Sequence, residues 1–332
     1  MRRPLALAAL TAASLAVPGC GGSSGAGGSS GAAGGAPVIC IMSEFRTRAD
    51  GVPGLARTYN PAFATARYKD IGSTAEAGIA SRQCAAGEVF TTDSAIAADN
   101  LVVLKDDKGL FPPDSVGLIV RSAVLQRHPG IAAIMAPVAA RITTDEITKL
   151  NRAVEIDKHA VNEVAQTWLQ RNGLLDAAPA ASGAGSATCP VSGAAVDGGG
   201  ARLKIGSKPF AEEELLAAMT RLVLARHGYT VDDSVHAADP AIDRALRDGT
   251  VDMLWQYTGT ELTNPGYLNQ TSIPTDLDQA FTKVAELDAP RGLCWTSKAP
   301  MNDTNGLAIR AADTGRYGTT LTAFGEYLAA HH

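Results

Sequence analysis

The run Leu203-Lys204-Ile205-Gly206-Ser207-Lys208 is an apolar strand pattern that stops at a glycine turn. A helical segment, Glu212 to Gly228, follows it. Next comes Val251-Asp252-Met253-Leu254-Trp255-Gln256-Tyr257, a second strand pattern ending in Thr258-Gly259-Thr260. Strand, helix and strand in that order describe an α/β unit with a parallel sheet. Ligands of such sheets gather beyond the carboxyl ends of the strands, where Ser207 and Tyr257 both sit. A site is therefore expected within Ala201 to Thr263, and its residues suit binding rather than catalysis.

Working outward, residues 201–332 form one block. Thr275 to Leu287 reads as a helix, Gly292 to Thr296 as a strand, and Leu321 to Ala330 as a last helix. Asn302 to Arg310 turns from polar to apolar. Residues 176–200, rich in Ala, Gly and Ser, form a linker. Residues 38–175 form the other block. In it Val38 to Met42, Glu88 to Thr92 and Leu101 to Leu104 read as strands, and Ser43 to Gly54 as a loop. Asp106 to Gly109 is a turn, and proline holds Phe111-Pro112-Pro113 extended. Thr74 to Gln83, Ser122 to Gln126, Ile131 to Ala139, Thr144 to Val154 and Lys158 to Asn172 read as helices.

The chain of 332 residues has the length of about two domains, and its net charge of −5 speaks against a nucleic-acid surface. It opens with Arg2-Arg3, an apolar stretch from Leu5 to Ala16, and Val17-Pro18-Gly19-Cys20. A short apolar run ending in small residues reads as a secretory signal, residues 1–20. Cys20 after small residues is similar to the lipobox of bacterial lipoproteins, in which that cysteine carries the lipid. Residues 21–37, mostly Gly, Ser and Ala, read as a tether. The expected place is the outer face of the cell membrane. The rest of the chain has no apolar run long enough to span a bilayer.

Four cysteines follow Cys20. An exported chain meets oxidising conditions, so an even number suggests two disulfides. Three pairings exist; Cys40–Cys84 with Cys189–Cys294 is expected because it keeps each bridge within one half of the chain. The spacing is not that of a metal site. No nucleophile elbow, phosphate loop or His-Glu-x-x-His pattern is present, so neither an enzyme nor a cofactor is expected. His331 and His332 read as a solvated end. Glu212-Glu213-Glu214 suits the start of a helix.

Several segments together resemble the osmoprotectant-binding lipoproteins of ABC importers. They are Ile205 to Phe210, Tyr257 to Thr260, and Trp295 with Asn302-Asp303-Thr304. In the other block they are Glu44-Phe45 with Asp50 to Leu55, Phe90 to Asp93, and Leu101 to Pro113. The resemblance implies a two-lobed periplasmic-binding-protein (type II) α/β fold. The partners it implies are an ABC permease with its ATPase. In that family the segment like Ile205 to Thr260 comes first, and here it comes second. The chain thus resembles a circularly permuted member, its old end near Leu175 joined to its old start near Arg202. Lobe one would take residues 201 to about 305 and about 105–175. Lobe two would take 38 to about 98 and about 312–332. The hinge would run near Leu307-Ala308-Ile309 and Val102-Val103-Leu104.

The family holds a quaternary ammonium ligand, such as glycine betaine or choline, in a cage of tyrosines. By resemblance Tyr257 keeps its tyrosine, and Phe90 keeps an aromatic face. Asn305 and Asp114 stand where tyrosines are usual, and Glu213 where a glutamine is frequent. Ser207 and Thr260 add hydroxyls. Tyr257 and Phe90 are expected to face each other across the cleft. The added carboxylates of Asp114 and Glu213 are expected to favour a cation without an acid group, or a polar ligand of another kind. The alternative is a sensor or interaction module that has lost the cage.

Overall fold

The computed structural model describes residues 36–71, 75–180, 189 and 197–331. The signal segment, Cys20, nearly all of the tether and most of the linker lie outside the described residues. The strands are β1 (Val38–Ile41), β2 (Arg67–Asp70), β3 (Ala86–Phe90), β4 (Leu101–Val103), β5 (Val116–Arg121), β6 (Arg202–Ser207), β7 (Thr230–His236), β8 (Met253–Tyr257), β9 (Leu293–Lys298) and β10 (Asn305–Arg310). They form two sheets, ordered β7-β6-β8-β5-β9 and β2-β1-β3-β10-β4. Each sheet is the centre of one lobe, and Ala36–His332 forms one compact unit.

In lobe one, β6 runs parallel to β7 and β8, while β5 runs antiparallel to β8 and β9. Every residue of β8 is buried, as expected of a strand covered on both faces. On one face lie the Ala211–Arg226 helix and, packed on it, the helices Ile131–Ala139, Thr144–Glu155 and Val161–Arg171. On the other face Ile242, Leu246, Phe281 and Val284 pack against Trp295 and Leu254. Both halves of the chain thus build lobe one, as the resemblance implies. In lobe two, β10 runs antiparallel between β3 and β4. Phe45, Phe63, Leu307 and Phe324 lie in its core.

Several elements differ from the expectation. Val116-Gly117-Leu118-Ile119-Val120-Arg121 is a central strand that the sequence reading passes over. A short apolar run without alternation carries no period of its own. β7, with Asp232 and Asp233, is an edge strand, where charge discourages pairing with another chain. Ser43 to Gly54 is not all loop. It holds a 3₁₀ turn, Ser43–Arg46, and the start of the Val52–Thr58 helix, with Pro53 in the first turn where no N–H is missed.

The hinge is also displaced. Ala308 and Ile309 pair with Val103 and Val102 inside the sheet of lobe two. The crossings lie beside them. Asp303 N–H donates to Asp114 O (2.8 Å), Asp114 N–H to Asn302 Oδ1 (2.7 Å), and Thr304 Oγ1 to Pro112 O (2.7 Å). The two extended segments that pass between the lobes are therefore bonded to each other at 112–114 and 302–304.

The disulfides Cys40–Cys84 and Cys189–Cys294 have Cα separations of 5.7 and 5.6 Å. The second ties the linker to β9 across 105 residues. No helix among the described residues is long and apolar enough to cross a membrane. Replacing Cys189 and Cys294 together by alanine should destabilise the fold by about 2–5 kcal/mol, because the unfolded chain regains the freedom of a long loop. Urea unfolding of oxidised wild type against the double variant measures this. An unchanged midpoint would mean that the bridge contributes nothing.

Candidate ligand-binding site

Polar and aromatic groups converge where the lobes meet. The carboxyl ends of β6 and β8 deliver Ser207, Lys208 and Tyr257. The start of the Ala211–Arg226 helix adds Glu212 and Glu213. From lobe two come Phe90, at the end of β3, and Asn305, its cross-strand partner on β10. Arg48 and Asp50 come from the loop after Ser43–Arg46. Asp114 and Asp303 ride on the crossing segments. All but the half-buried Phe90 are buried.

The ring of Tyr257 already carries a cation. Lys208 Nζ lies 4.8 Å from its centroid and 6.0 Å from that of Phe210. It donates to Gln256 Oε1 at 2.7 Å and pairs with Glu213 Oε1 at 3.5 Å and Asp239 Oδ2 at 3.6 Å. Burial works against this charge, but Asp239, then Glu213 and Asp114, hold the ammonium above its ordinary pKa. Burial pushes Glu213 up to about 7, with Lys208 pulling the other way. The nearest ring to Tyr257 is that of Phe210, at 6.4 Å.

Asp114 is committed to the helix Thr258–Thr263. Its Oδ1 accepts from Gly259 N–H (2.5 Å), and its Oδ2 from Thr260 N–H (3.2 Å) and Thr260 Oγ1 (3.4 Å). A carboxylate at a helix start meets free N–H groups. A Cβ on Gly259 would stand 2.9 Å from this carboxylate. Burial raises Asp114 to about 7, against Gly259 N–H, Arg48 and Lys208. Asn305, with its amide oriented to accept from Arg48 Nη2 (3.0 Å) and donate to Glu88 Oε1 (3.1 Å), is a strut between the two side chains. Arg48 makes a bidentate pair with Asp50 (3.0 and 2.9 Å) and reaches Thr263 Oγ1 of lobe one at 3.1 Å. Burial pushes Glu88 up to about 8, with Met42 N–H and Arg48 opposing. Ser207 Oγ is engaged with His236 Nδ1 at 2.8 Å.

The lobes are joined through Thr92. Its Oγ1 lies 2.9 Å from Glu212 Oε2 and 2.7 Å from Asp303 Oδ1. A hydroxyl has one proton to donate. It can donate to only one of these two carboxyls at a time. Burial first raises both carboxyls, and Glu212 adds its charge to Asp303. Glu212 also accepts from Tyr257 Oη (2.5 Å) and Asn151 Nδ2 (2.7 Å). Ser94 Oγ to Glu155 Oε2 (2.7 Å) is a further bond between the lobes.

Arg48, Lys208, Thr92 and Asp303 were not singled out from sequence, and Glu212 was read only as a helix starter. Lys208 had a signal, since it directly follows Ser207 at the strand end. Arg48 has its ion-pair partner Asp50 two residues on, but its contacts with Thr263 and Asn305 lie over 200 residues away and leave no local signal. Among the described residues no group of His, Cys, Asp or Glu is arranged to hold a metal ion.

Two α/β lobes thus meet at a layer of buried polar side chains and are joined by two crossing segments. The chain belongs to the OpuAC family, described as the substrate binding domain of ABC-type glycine betaine transport system, whose model matches residues 30–171 and 201–321. It is 33% identical over 131 residues to the ergothioneine transport permease/ergothioneine binding protein EgtU of Helicobacter pylori, covering 40% of this chain and 24% of that protein. It is 33% identical over 142 residues to a glycine-betaine-binding protein of Pseudomonas aeruginosa, covering 42% and 45%. The chain thus matches less than half the length of either relative. An amino acid ABC transporter substrate-binding protein of Streptococcus pneumoniae bound to L-arginine aligns at 12% identity and a TM-score of 0.35, over 89% of this chain and 87% of that one.

The buried carboxyls set a pH dependence. A carboxyl whose folded pKa lies above its unfolded value binds more protons when folded. Its stabilisation is complete below about pH 4 and is lost as pH rises through the folded pKa. For Asp114 and Glu213, at about 7, the loss begins above about pH 4 and is complete by about pH 8, so much of it falls between pH 5 and 8. Asp114→Asn should remove its share, about 1–3 kcal/mol between those pH values. Urea midpoints of wild type and variant across pH 5–8 read it. Parallel curves would show that Asp114 ionises normally.

Proposed function

We propose that this chain is an extracytoplasmic solute-binding lipoprotein of an ABC importer. Residues 1–20 export it, and Cys20 anchors it to the outer face of the membrane. It hands a small osmolyte to a permease with its ATPase. The proposed ligand is a quaternary ammonium compound of the betaine or choline type, held between the lobes. Family membership and the names of the relatives support this class. The observation that carries it is the ring of Tyr257, at a strand end where the lobes meet, whose face holds a cation, the ammonium of Lys208. A quaternary ammonium, which has no N–H, is recognised in that way. Phe90, Asn305, Asp114, Glu213, Ser207 and Thr260 are the other residues proposed to line the site.

The blocks 38–175 and 201–332 are read as the family's two halves in permuted order. Both ends of the linker sit at the C-terminal end of the Ala211–Arg226 helix. Asp176 pairs with Arg226 at 2.8 Å, and Gly198 N–H donates to His227 O at 2.7 Å. Joining old termini that lie close together costs little.

Calorimetric titration with glycine betaine and with choline tests the ligand class. Tyr257→Ala should weaken binding by about 1–2 kcal/mol, roughly 5- to 30-fold. Unchanged affinity for every ligand that binds would make Tyr257 a packing residue.

A further inference from the structure

Beside the crossing segments the lobes meet through acidic and neutral groups. Lobe one brings Glu212, at the start of the Ala211–Arg226 helix, with Asn151 and Glu155 of the Thr144–Glu155 helix. Lobe two brings Thr92 and Ser94, just after β3, and Asp303 comes from its crossing segment. Thr92 Oγ1 touches Glu212 Oε2 at 2.9 Å and Asp303 Oδ1 at 2.7 Å. Asn151 Nδ2 spans the same seam, donating to Thr92 O (3.3 Å) and to Glu212 Oε2 (2.7 Å), while Asn151 Oδ1 is buried without a donor. Ser94 Oγ donates to Glu155 Oε2. Asp93 turns back to Phe90 N–H (2.6 Å) and to Glu76. Tyr257 Oη donates to Glu212, and the charge of Asp114 acts on Asp303. The buried cations Lys208 and Arg48 are committed to Glu213, Asp239 and Asp50. Among the described residues no ion pair includes Glu212 or Asp303.

This seam is short of protons. The Thr92 hydroxyl donates to one carboxyl only. Its other contact is oxygen against oxygen unless that carboxyl carries a proton. Two ionised carboxyls there would also repel each other out of water, with no cation to offset them. Burial favours the neutral form of both, and the charge of Glu212 raises Asp303 further. We propose that the Glu212–Thr92–Asp303 contact is an acid-dependent latch, which closes the lobes with uptake of one proton. That proton sits on one carboxyl and is donated to the Thr92 oxygen, whose own proton goes to the other. When the lobes part, both carboxyls meet water and ionise. The closed form thus binds the extra proton. Its advantage is complete below the ordinary carboxylate range and is lost as pH rises through the raised pKa of the pair. The inference rests on the reading of the space between the lobes as the ligand's place. Ligand affinity then falls with rising pH, by up to about tenfold per pH unit for one proton.

Glu212→Gln and Asp303→Asn keep the shape of each side chain and put an amide N–H where the latch needs a proton. Small-angle X-ray scattering of ligand-free protein reads closure. The wild-type radius of gyration should grow between about pH 5 and about pH 9, while each variant stays compact throughout. A wild-type radius that ignores pH, or equal growth in both variants, would overturn the proposal whatever the ligand. Calorimetry with glycine betaine, in buffers of different ionisation heat, counts the protons taken up on binding. Wild type should take up about one more than Glu212→Gln, and equal uptake would overturn the latch. If the radius responds as expected and neither glycine betaine nor choline binds, the latch stands and the onium class of ligand fails.

Discussion

The cleft depends on one constraint: a charge taken out of water between two lobes needs a partner, because an unpaired buried ion costs several kcal/mol. Arg48 satisfies it with Asp50, Lys208 with Glu213 and Asp239, and Asp114 with the start of a helix. Glu212 and Asp303 face each other across the hydroxyl of Thr92, and burial raises the pKa of both. Arg48 with Asp50 and Lys208 with Glu213 are local in the chain, whereas Asp114 with Gly259 and Thr92 with Glu212 bring together segments more than 100 residues apart.

The crossing segments connect this constraint to the architecture. Asp114 and Asp303 lie on the two segments that pass between the lobes, and their main chains are bonded to each other. Asp114 reaches into lobe one, to Gly259 and Thr260, while Asp303 reaches Thr92 of lobe two. A rotation of the lobes about these segments would act directly on both carboxylates. Arg48 adds a contact from lobe two to Thr263, in the helix that Asp114 starts. The contacts that join the lobes are thus made by the same side chains that pair the site's buried charges.

This arrangement changes the meaning of the altered cage. Asn305 is a strut between Arg48 and Glu88, and Asp114 starts a helix. Both have polar work that a tyrosine could not do in the same place. The aromatic face of Tyr257 remains, already bearing a charge from the chain itself.

Much of the fold was legible in the sequence because it is written in local periods. β6 and β8, the Ala211–Arg226 helix, the helices between 122 and 171 and the pairing of four cysteines all followed from apolar spacing, turn residues and cysteine positions. Family motifs placed Tyr257, Phe90, Asn305, Asp114 and Glu213 among the candidates. β5 and β7 were not legible, since a short unbroken apolar run and an acidic edge strand lack a distinctive period. Nor was the shift of the hinge from β4 and β10 to 112–114 and 302–304, which depends on where pairing within a sheet stops. The sequence by itself determined the two α/β blocks, their cysteines and the candidate aromatic ring. Only the tertiary structure decided which charge lies on that ring and how the carboxylates are engaged, because Lys208 meets Asp239 and Tyr257 through the packing of lobe one, and Arg48 and Thr92 reach Thr263 and Glu212 only where the two lobes meet.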